Sequence, residues 1–146
     1  MLVRDLLDAK ESRPMVVAAP ETTAHEAMTL LIDNQISCLP VMKGDELVGI
    51  VSDKDIFKLV FEHRTDFAGM PVKDIMTTDL IVGVMDDEID YVAGLMSENW
   101  IRHIPIMEGK MLVGLVSQTD IVRRQMKHMK VENRYLRIYI DGFRPH

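Results

Sequence analysis

The sequence predicts an α+β fold of two β-α-β-β-α units, related by a pseudo-twofold axis and packed through their sheets. Three observations predict it. An eight-residue stretch is written twice, as Gly49-Ile50-Val51-Ser52-Asp53-Lys54-Asp55-Ile56 and Gly114-Leu115-Val116-Ser117-Gln118-Thr119-Asp120-Ile121. The copies lie 65 residues apart, and the same ungapped offset pairs Leu30/Leu95, Asn34/Asn99, Ile36/Ile101, Pro40/Pro105, Gly44/Gly109 and Leu47/Leu112. In both units, short apolar runs and helical stripes follow in the same order. Self-similarity at a fixed period fixes architecture before any single residue is read. Two copies make a tandem pair and not a solenoid.

In chain order, residues 15–18 form a short apolar run read as a strand, which Pro20 ends. Thr23 and Glu26 have capping-box spacing and start a helix. Ala24, Ala27, Met28 and Leu31 give that helix one apolar stripe, and Asn34 suits its end. Residues 39–42 are the next strand, and 43–46 are a turn in which Gly44 absorbs positive φ. Residues 47–51 form a continuous apolar strand of the kind buried on both faces. Ser52 caps a second helix that runs to about His63, and residues 65–71, with Gly69 and Pro71, are the linker.

The second unit repeats this order. Residues 80–84 are a strand, and Ile89, Val92, Ala93 and Met96 form the helical stripe. Strands at 104–107 and 111–116 flank a turn at 108–110, and a helix runs from Ser117 to about Met129. Residues 131–140 continue as a helix with Val131, Tyr135 and Ile138 on one side, a packed terminal segment or a dimer contact. Upstream, Arg4-Asp5-Leu6-Leu7 answers Lys73-Asp74-Ile75-Met76 at an offset of 69, so the first unit carries about four extra residues near 9–12. The expected division is 1–66 for the first unit, 67–130 for the second and 131–146 for a C-terminal extension.

A chain of 146 residues suits one compact domain or two small interlocked halves. A half of ~60 residues is marginal alone, so the halves are expected to share a core. The net charge of −6 argues against a general nucleic-acid binder. A single cysteine, Cys38, allows no internal disulfide and no cysteine-rich metal site. No apolar signal region opens the chain, and no run approaches the ~18 apolar residues of a membrane span. A cytoplasmic protein without a membrane partner is therefore expected. The twelve methionines are read as adaptable core filler.

The duplicated stretch is a buried strand turning into the first turn of a helix. Ser-x-x-Asp at that corner is a capping box, worth ~1 kcal/mol and needing no ligand. The same corner also offers free N–H groups and partial positive charge to a phosphate. Its carboxylate can accept two hydrogen bonds from a ribose diol. Ile50 and Leu115, just before the caps, can flank a planar base. Thr119 discriminates the readings, since a cap needs no hydroxyl there and a phosphate site benefits from one. Lys54 stands at the matching place in the first copy, a point charge able to reach a phosphate. On the residues alone both readings stand.

Duplication and corner together resemble a tandem pair of CBS domains (cystathionine-β-synthase domains), also called a Bateman module. The resemblance covers about Leu2 to Met129. It rests on Ile-x-x-x-Pro-Val/Ile (36–41 and 101–106), Leu-Val-Gly-Ile/Leu-Val-Ser (47–52 and 112–117) and Ser-x-x-Asp-Ile. It implies a regulatory module and no enzyme. Such pairs bind AMP, ADP, ATP or S-adenosylmethionine in two clefts between the repeats, sense energy state and regulate a partner protein, here unknown. Carried over, one site uses Leu115, Ser117, Thr119 and Asp120 with Val16, Ile36 and Ser37. Asp120 would hold the ribose, Ser117 and Thr119 the phosphate, and Val16, Ile36 and Leu115 the adenine. The second site uses Ile50, Ser52, Lys54 and Asp55 with Ile81, Ile101, Arg102 and His103, and departs from the family's hydroxyl at Lys54. The resemblance also implies a homodimer through the helices at 24–34 and 89–99 and those after Ser52 and Ser117. The alternatives are a ligand-free dimerisation or interaction module, or a sensor of S-adenosylmethionine or NAD.

Other residues are read plainly. His103 is a surface or hydrogen-bonded histidine, because no Asp/Cys/His set has ligand spacing and no metal is expected. Cys38 is a small buried residue, and Trp100 packs at a helix interface. No nucleophile-base-orienter set appears, so no catalysis is expected.

Overall fold

The structure, a computed structural model, describes residues 1–10, 14–63, 65–127 and 137. The first unit holds α2 (Ala24–Asn34), β1 (Cys38–Lys43), β2 (Glu46–Ser52) and α3 (Asp53–His63). The second holds α4 (Ile89–Asn99), β3 (His103–Glu108), β4 (Met111–Ser117) and α5 (Gln118–Lys127). Each second-unit element begins 65 residues after its counterpart. The segment at 131–140, residue 137 apart, and the last residues of the helix expected to reach Met129 lie outside the described residues.

Local chemistry accounts for the boundaries. The Glu26 amide donates to Thr23 Oγ1 at 3.1 Å and the Thr23 amide to the Glu26 carboxylate at 3.2 Å, closing the capping box that starts α2. At the other end the left-handed residue is Gln35 (φ 53°), matched by Trp100 (φ 57°) after α4. Asn34 thus does not take the terminating conformation. Its side chain and that of Asn99 donate to the carbonyls of Leu30 and Leu95, at 2.8 and 2.9 Å. Trp100 is 89% exposed, so it does not pack against a helix of its own chain as expected.

β1 pairs antiparallel with β2, and β3 with β4, each through a turn holding a glycine at φ near 60° (Gly44, Gly109). Both pairs carry a register shift at the same place, Val41/Met42 and Ile106/Met107. The strands expected at 15–18 and 80–84 shrink to single parallel bridges at Ala18 and Gly83. The Ala18 amide donates to Pro40 O at 2.9 Å, and Met42 donates back to Ala18 O at 2.8 Å. Gly83 repeats both bonds with Pro105 O and Met107 N. Extending either ladder backward needs an amide hydrogen from Pro40 or Pro105, which proline lacks.

The buried residues form two clusters, not the shared core expected. The first contains Ala27, Leu31, Leu39, Val41, Val51 and Ile56 with Val72 from just after the linker. The second contains Ile89, Val92, Met96, Ile104, Ile106, Val116 and Ile121 with Val3 and Leu6 from α1 (Val3–Ala9). The halves interlock by exchanging lead-in segments. α1 precedes the first unit and completes the second, while the 3-10 turn Val72–Asp74 precedes the second and completes the first. The offset of 69 shows here too. Val3 donates to Asp87 O at 2.9 Å and Val72 to Thr22 O at 2.8 Å; Arg4 pairs with Asp86 as Lys73 pairs with Glu21. The methionine expectation holds in part: Met96 is buried and Met28, Met76 and Met85 pack half-buried against the two cores, whereas Met1, Met15, Met111 and Met126 are exposed.

Candidate functional site

Each strand-to-helix corner closes as a capping box. At the second, the Ser117 amide donates to Asp120 Oδ2 at 2.9 Å and the Asp120 amide to Ser117 Oγ at 3.1 Å. At the first, the Ser52 amide donates to Asp55 Oδ2 at 2.8 Å, the Ser52 hydroxyl to the same oxygen at 3.1 Å, and the Asp55 amide to Ser52 Oγ at 3.3 Å. The preceding chain caps the next free amides. Asp53 N donates to Ser37 O at 2.9 Å and Gln118 N to Arg102 O at 2.8 Å. Ser37 and Arg102 are themselves a 65-residue pair, so each Ile-x-x-x-Pro stretch is fastened to the helix start of its own unit.

Two contacts then cross between units. Ser37 Oγ meets His103 Nε2 at 3.0 Å, and the Arg102 guanidinium donates to Asp53 Oδ1 at 2.5 Å. Arg102 thereby answers the negative charge that Asp53 brings to the first corner, and both Arg102 and His103 engage the protein's own groups. Burial pushes the His103 pKa below its usual 6.5, and the Arg102 charge pushes the same way. Burial likewise pushes the Cys38 thiol up to about 12, so it stays protonated at neutral pH.

Sequence reasoning missed Lys10, one of the extra residues of the first unit. Its ammonium lies 2.6 Å from Asp120 Oδ2 and donates to Leu115 O at 2.9 Å. It is 41% exposed, whereas the Asp120 side chain is 13% exposed. The matching place in the first corner is closed by backbone instead. Ile50 and Thr77 exchange amide bonds at 2.9 and 2.8 Å. The extra length near 9–12 was the available signal, though it carried no indication of which side chain turns inward.

The remaining residues singled out divide by exposure. Thr119 and Lys54 are exposed on the first turns of α5 and α3. Val16, Ser37, Leu115, Ser117, Ile81, Ile101, Ser52 and Asp55 are half-buried, and Ile50 is buried. Ile36 is 38% exposed and, with Asp53, borders a cavity of about 300 Å³ between α2 and α3. A smaller cavity of about 120 Å³ lies between α4 and α5, lined by Ile89, Ile121 and Arg124 among others and by none of the predicted site residues. Among the described residues, no three or more His, Cys, Asp or Glu are placed to hold a metal, and no helix is long and apolar enough to cross a membrane.

Comparison with known proteins agrees with this geometry. The CBS domain family model matches residues 3–62 and again 72–127. An inosine-5'-monophosphate dehydrogenase of Thermoplasma acidophilum is 35% identical over 114 residues, 77% of this chain but 22% of the dehydrogenase. The chain therefore spans about a fifth of that relative. The CBS-domain containing protein ATU1752 of Agrobacterium tumefaciens superposes with a TM-score of 0.82 at 26% identity, over 86% of this chain and 99% of that one. The CBS domain pair of protein MJ0100, solved with 5'-methylthioadenosine and S-adenosyl-L-methionine, superposes with a TM-score of 0.76 at 29% identity, over 88% and 98%. The chain belongs to the CBS domain family, as a tandem pair of repeats of the regulatory kind.

Proposed function

We propose that the chain is a sensor of adenosine-containing ligands that binds AMP, ADP or ATP at the Leu115–Asp120 corner and regulates a partner protein. The observation that carries this reading is the Asp120 carboxylate. It sits at the start of α5, held by the Ser117 amide and mostly withdrawn from water. Such an acceptor, at a helix start with an exposed hydroxyl at Thr119 and an apolar Leu115, suits a ribose diol with a charged tail. The adenosine compounds bound to the MJ0100 pair support the ligand class. Ser117 and Thr119 would take the phosphate, and Val16, Ile36 and Leu115 the adenine, with Ser37 beside them. The Ser52–Asp55 corner, with Lys54, Ile50, Ile81, Ile101, Arg102 and His103, is the second site. Asp53 already engages Arg102 there, so its occupancy comes after the first.

A homodimer through the paired helices is part of the proposal. Phe57 and Phe61 on α3, Tyr91 on α4 and Val122 and Met126 on α5 are exposed large apolar side chains, a liability on a lone chain. Sedimentation as a monomer at micromolar concentration would contradict this part.

Titration calorimetry with AMP, ADP, ATP, S-adenosylmethionine and NADH tests the site, with thermal unfolding alongside. A ligand at 100 times its Kd should add ~2.7 kcal/mol to stability. Asp120→Ala should abolish binding at this corner and cost ~1 kcal/mol of stability without ligand, the worth of a cap. The second reading is an interaction module without a ligand. Its support is that both boxes close on themselves and Lys10 already satisfies Asp120. Absence of binding by all five compounds would establish it over the first.

A further inference from the structure

We infer that Lys10 is a specificity-determining residue of the Asp120 corner. It is a tethered cation that stands where a ribose would bind, and it favours adenosine ligands whose 5' substituent is anionic. The inference rests on the adenosine-site reading above and deepens it by naming the charge class.

The argument starts from what Lys10 touches. One ammonium satisfies both a carboxylate and a main-chain carbonyl, Asp120 Oδ2 and Leu115 O, on a strand-to-helix corner more than a hundred residues away in sequence. The box itself closes without such a cation. The first corner has the same strand, the same turn and the same box, and Asp55 there is held by Ser52 alone among the described residues. At the carbonyl of Ile50 a backbone amide of Thr77 does the work that the Lys10 ammonium does at Leu115. A backbone bridge is fixed in place, while a lysine head on a four-carbon stem is free to leave. Its own backbone stays anchored as the C-cap of α1, with the Lys10 amide donating to Leu7 O at 3.2 Å.

A ribose diol that donates two hydrogen bonds to Asp120 competes with the ammonium for the same oxygens. The consequence depends on what else the ligand carries. A neutral ligand displaces Lys10 and leaves it only water. A cationic ligand displaces it and repels it. A ligand with a phosphate offers the displaced ammonium, still tethered within its own stem length, a new charged partner. Lys10 therefore opposes every ligand and compensates only the anionic ones.

The test compares AMP (anionic), 5'-methylthioadenosine (neutral) and S-adenosylmethionine (cationic) by calorimetry on wild type, Lys10→Met and Lys10→Arg. Methionine keeps most of the stem at an exposed position, so the variant should fold, with thermal unfolding as the check. In Lys10→Met, 5'-methylthioadenosine and S-adenosylmethionine should bind several-fold more tightly. The preference for AMP over 5'-methylthioadenosine should fall about tenfold, the worth of one charge-assisted contact. Lys10→Arg should keep most of the preference, and 0.5 M salt should shrink it in wild type. A preference unchanged within twofold in Lys10→Met overturns the inference while leaving the site intact, provided Asp120→Ala still abolishes binding. If none of the three binds either protein, the site reading falls and the inference with it.

Discussion

Substituting Gly114 by alanine tests the exchange of lead-in segments on which both corners depend. Gly114 lies in β4, just before Leu115, and α1 crosses over it. A Cβ at this position would stand 2.7 Å from Leu7 Cδ1 and 3.2 Å from Cδ2. Carbon atoms prefer ~3.5–4.0 Å, so Leu7 must withdraw by about 1 Å from the second core. Overpacking of this kind costs ~1–3 kcal/mol. Gly→Ala in extended backbone returns ~0.4–1 kcal/mol by restricting the unfolded chain. Since the obstacle is the end of a side chain and not backbone, the lower part of the range applies, and the net loss should be no more than about 1 kcal/mol. The decisive arm is the double variant. Leu7→Ala removes the obstacle, so Gly114→Ala should become neutral or slightly stabilising in that background. Urea unfolding followed by circular dichroism gives the four stabilities, and the coupling should be at least ~1 kcal/mol. An equal cost of Gly114→Ala in the wild-type and Leu7→Ala backgrounds would refute the packing of α1 on the second unit.

Two further predictions concern the junction between the units. Cys38 should react with iodoacetamide at neutral pH only as fast as the protein opens, because its thiol is buried and its pKa stands near 12; labelling at the rate of a free cysteine would contradict its placement. His103 resists protonation in the folded chain, while the unfolded chain's histidine takes a proton below about pH 6.5. The unfolded state then binds more protons, so His103 contributes full stability above pH 6.5 and loses it as pH falls below that value. The groups acting on it are Arg102, Asp53, Asp120 and Lys10. The stability difference between wild type and His103→Gln should therefore shrink on acidification from about pH 7 to about pH 5, and a flat or growing difference would show that the histidine is not withdrawn from water.

Much of the fold was legible because duplication makes each unit evidence for the other. The 65-residue offset placed eight helices and strands, and the offset of 69 paired Arg4 with Lys73 before their acids were known. What the offset could not show was destination. Leu7 and Met76 look like parts of their own units in sequence, yet each lies against the glycine of the other, Gly114 and Gly49. Periodicity reports which residues are apolar and not which neighbour they meet. The same limit explains the expected first strands. Val16 and Ile81 sit in apolar runs, but the partner strand's proline decides how many bonds form, and that is a long-range fact. At the candidate site, the boxes were readable from local spacing. Lys10 to Asp120, Arg102 to Asp53 and Ser37 to His103 were not, since each joins residues at least 49 apart in sequence.

The two corners began as copies, and their partners now differ in kind. At the first, Ile50 is tied to Thr77 by backbone, and Asp53 is tied to Arg102 by charge. Opening that corner to a phosphate means separating Arg102 from Asp53, and the carboxylate left behind repels the incoming anion. At the second, residue 118 is Gln where the first has Asp53, and the fastening is one lysine side chain. That side chain is 41% exposed and its ammonium ends a flexible stem, so displacing it breaks no bond between backbone groups. Nothing acidic replaces it in the two positions before Asp120. The unequal fastening orders the two corners. A ligand at low concentration takes the Asp120 corner, and the Asp55 corner admits one only when its phosphates can compete with Asp53 for Arg102. Neutralising that rival by Asp53→Asn should raise the affinity of the first corner for ATP, measured by calorimetry in an Asp120→Ala background where only that corner binds. If the affinity did not move, Arg102 would be a strut between the units and not a phosphate ligand held in reserve.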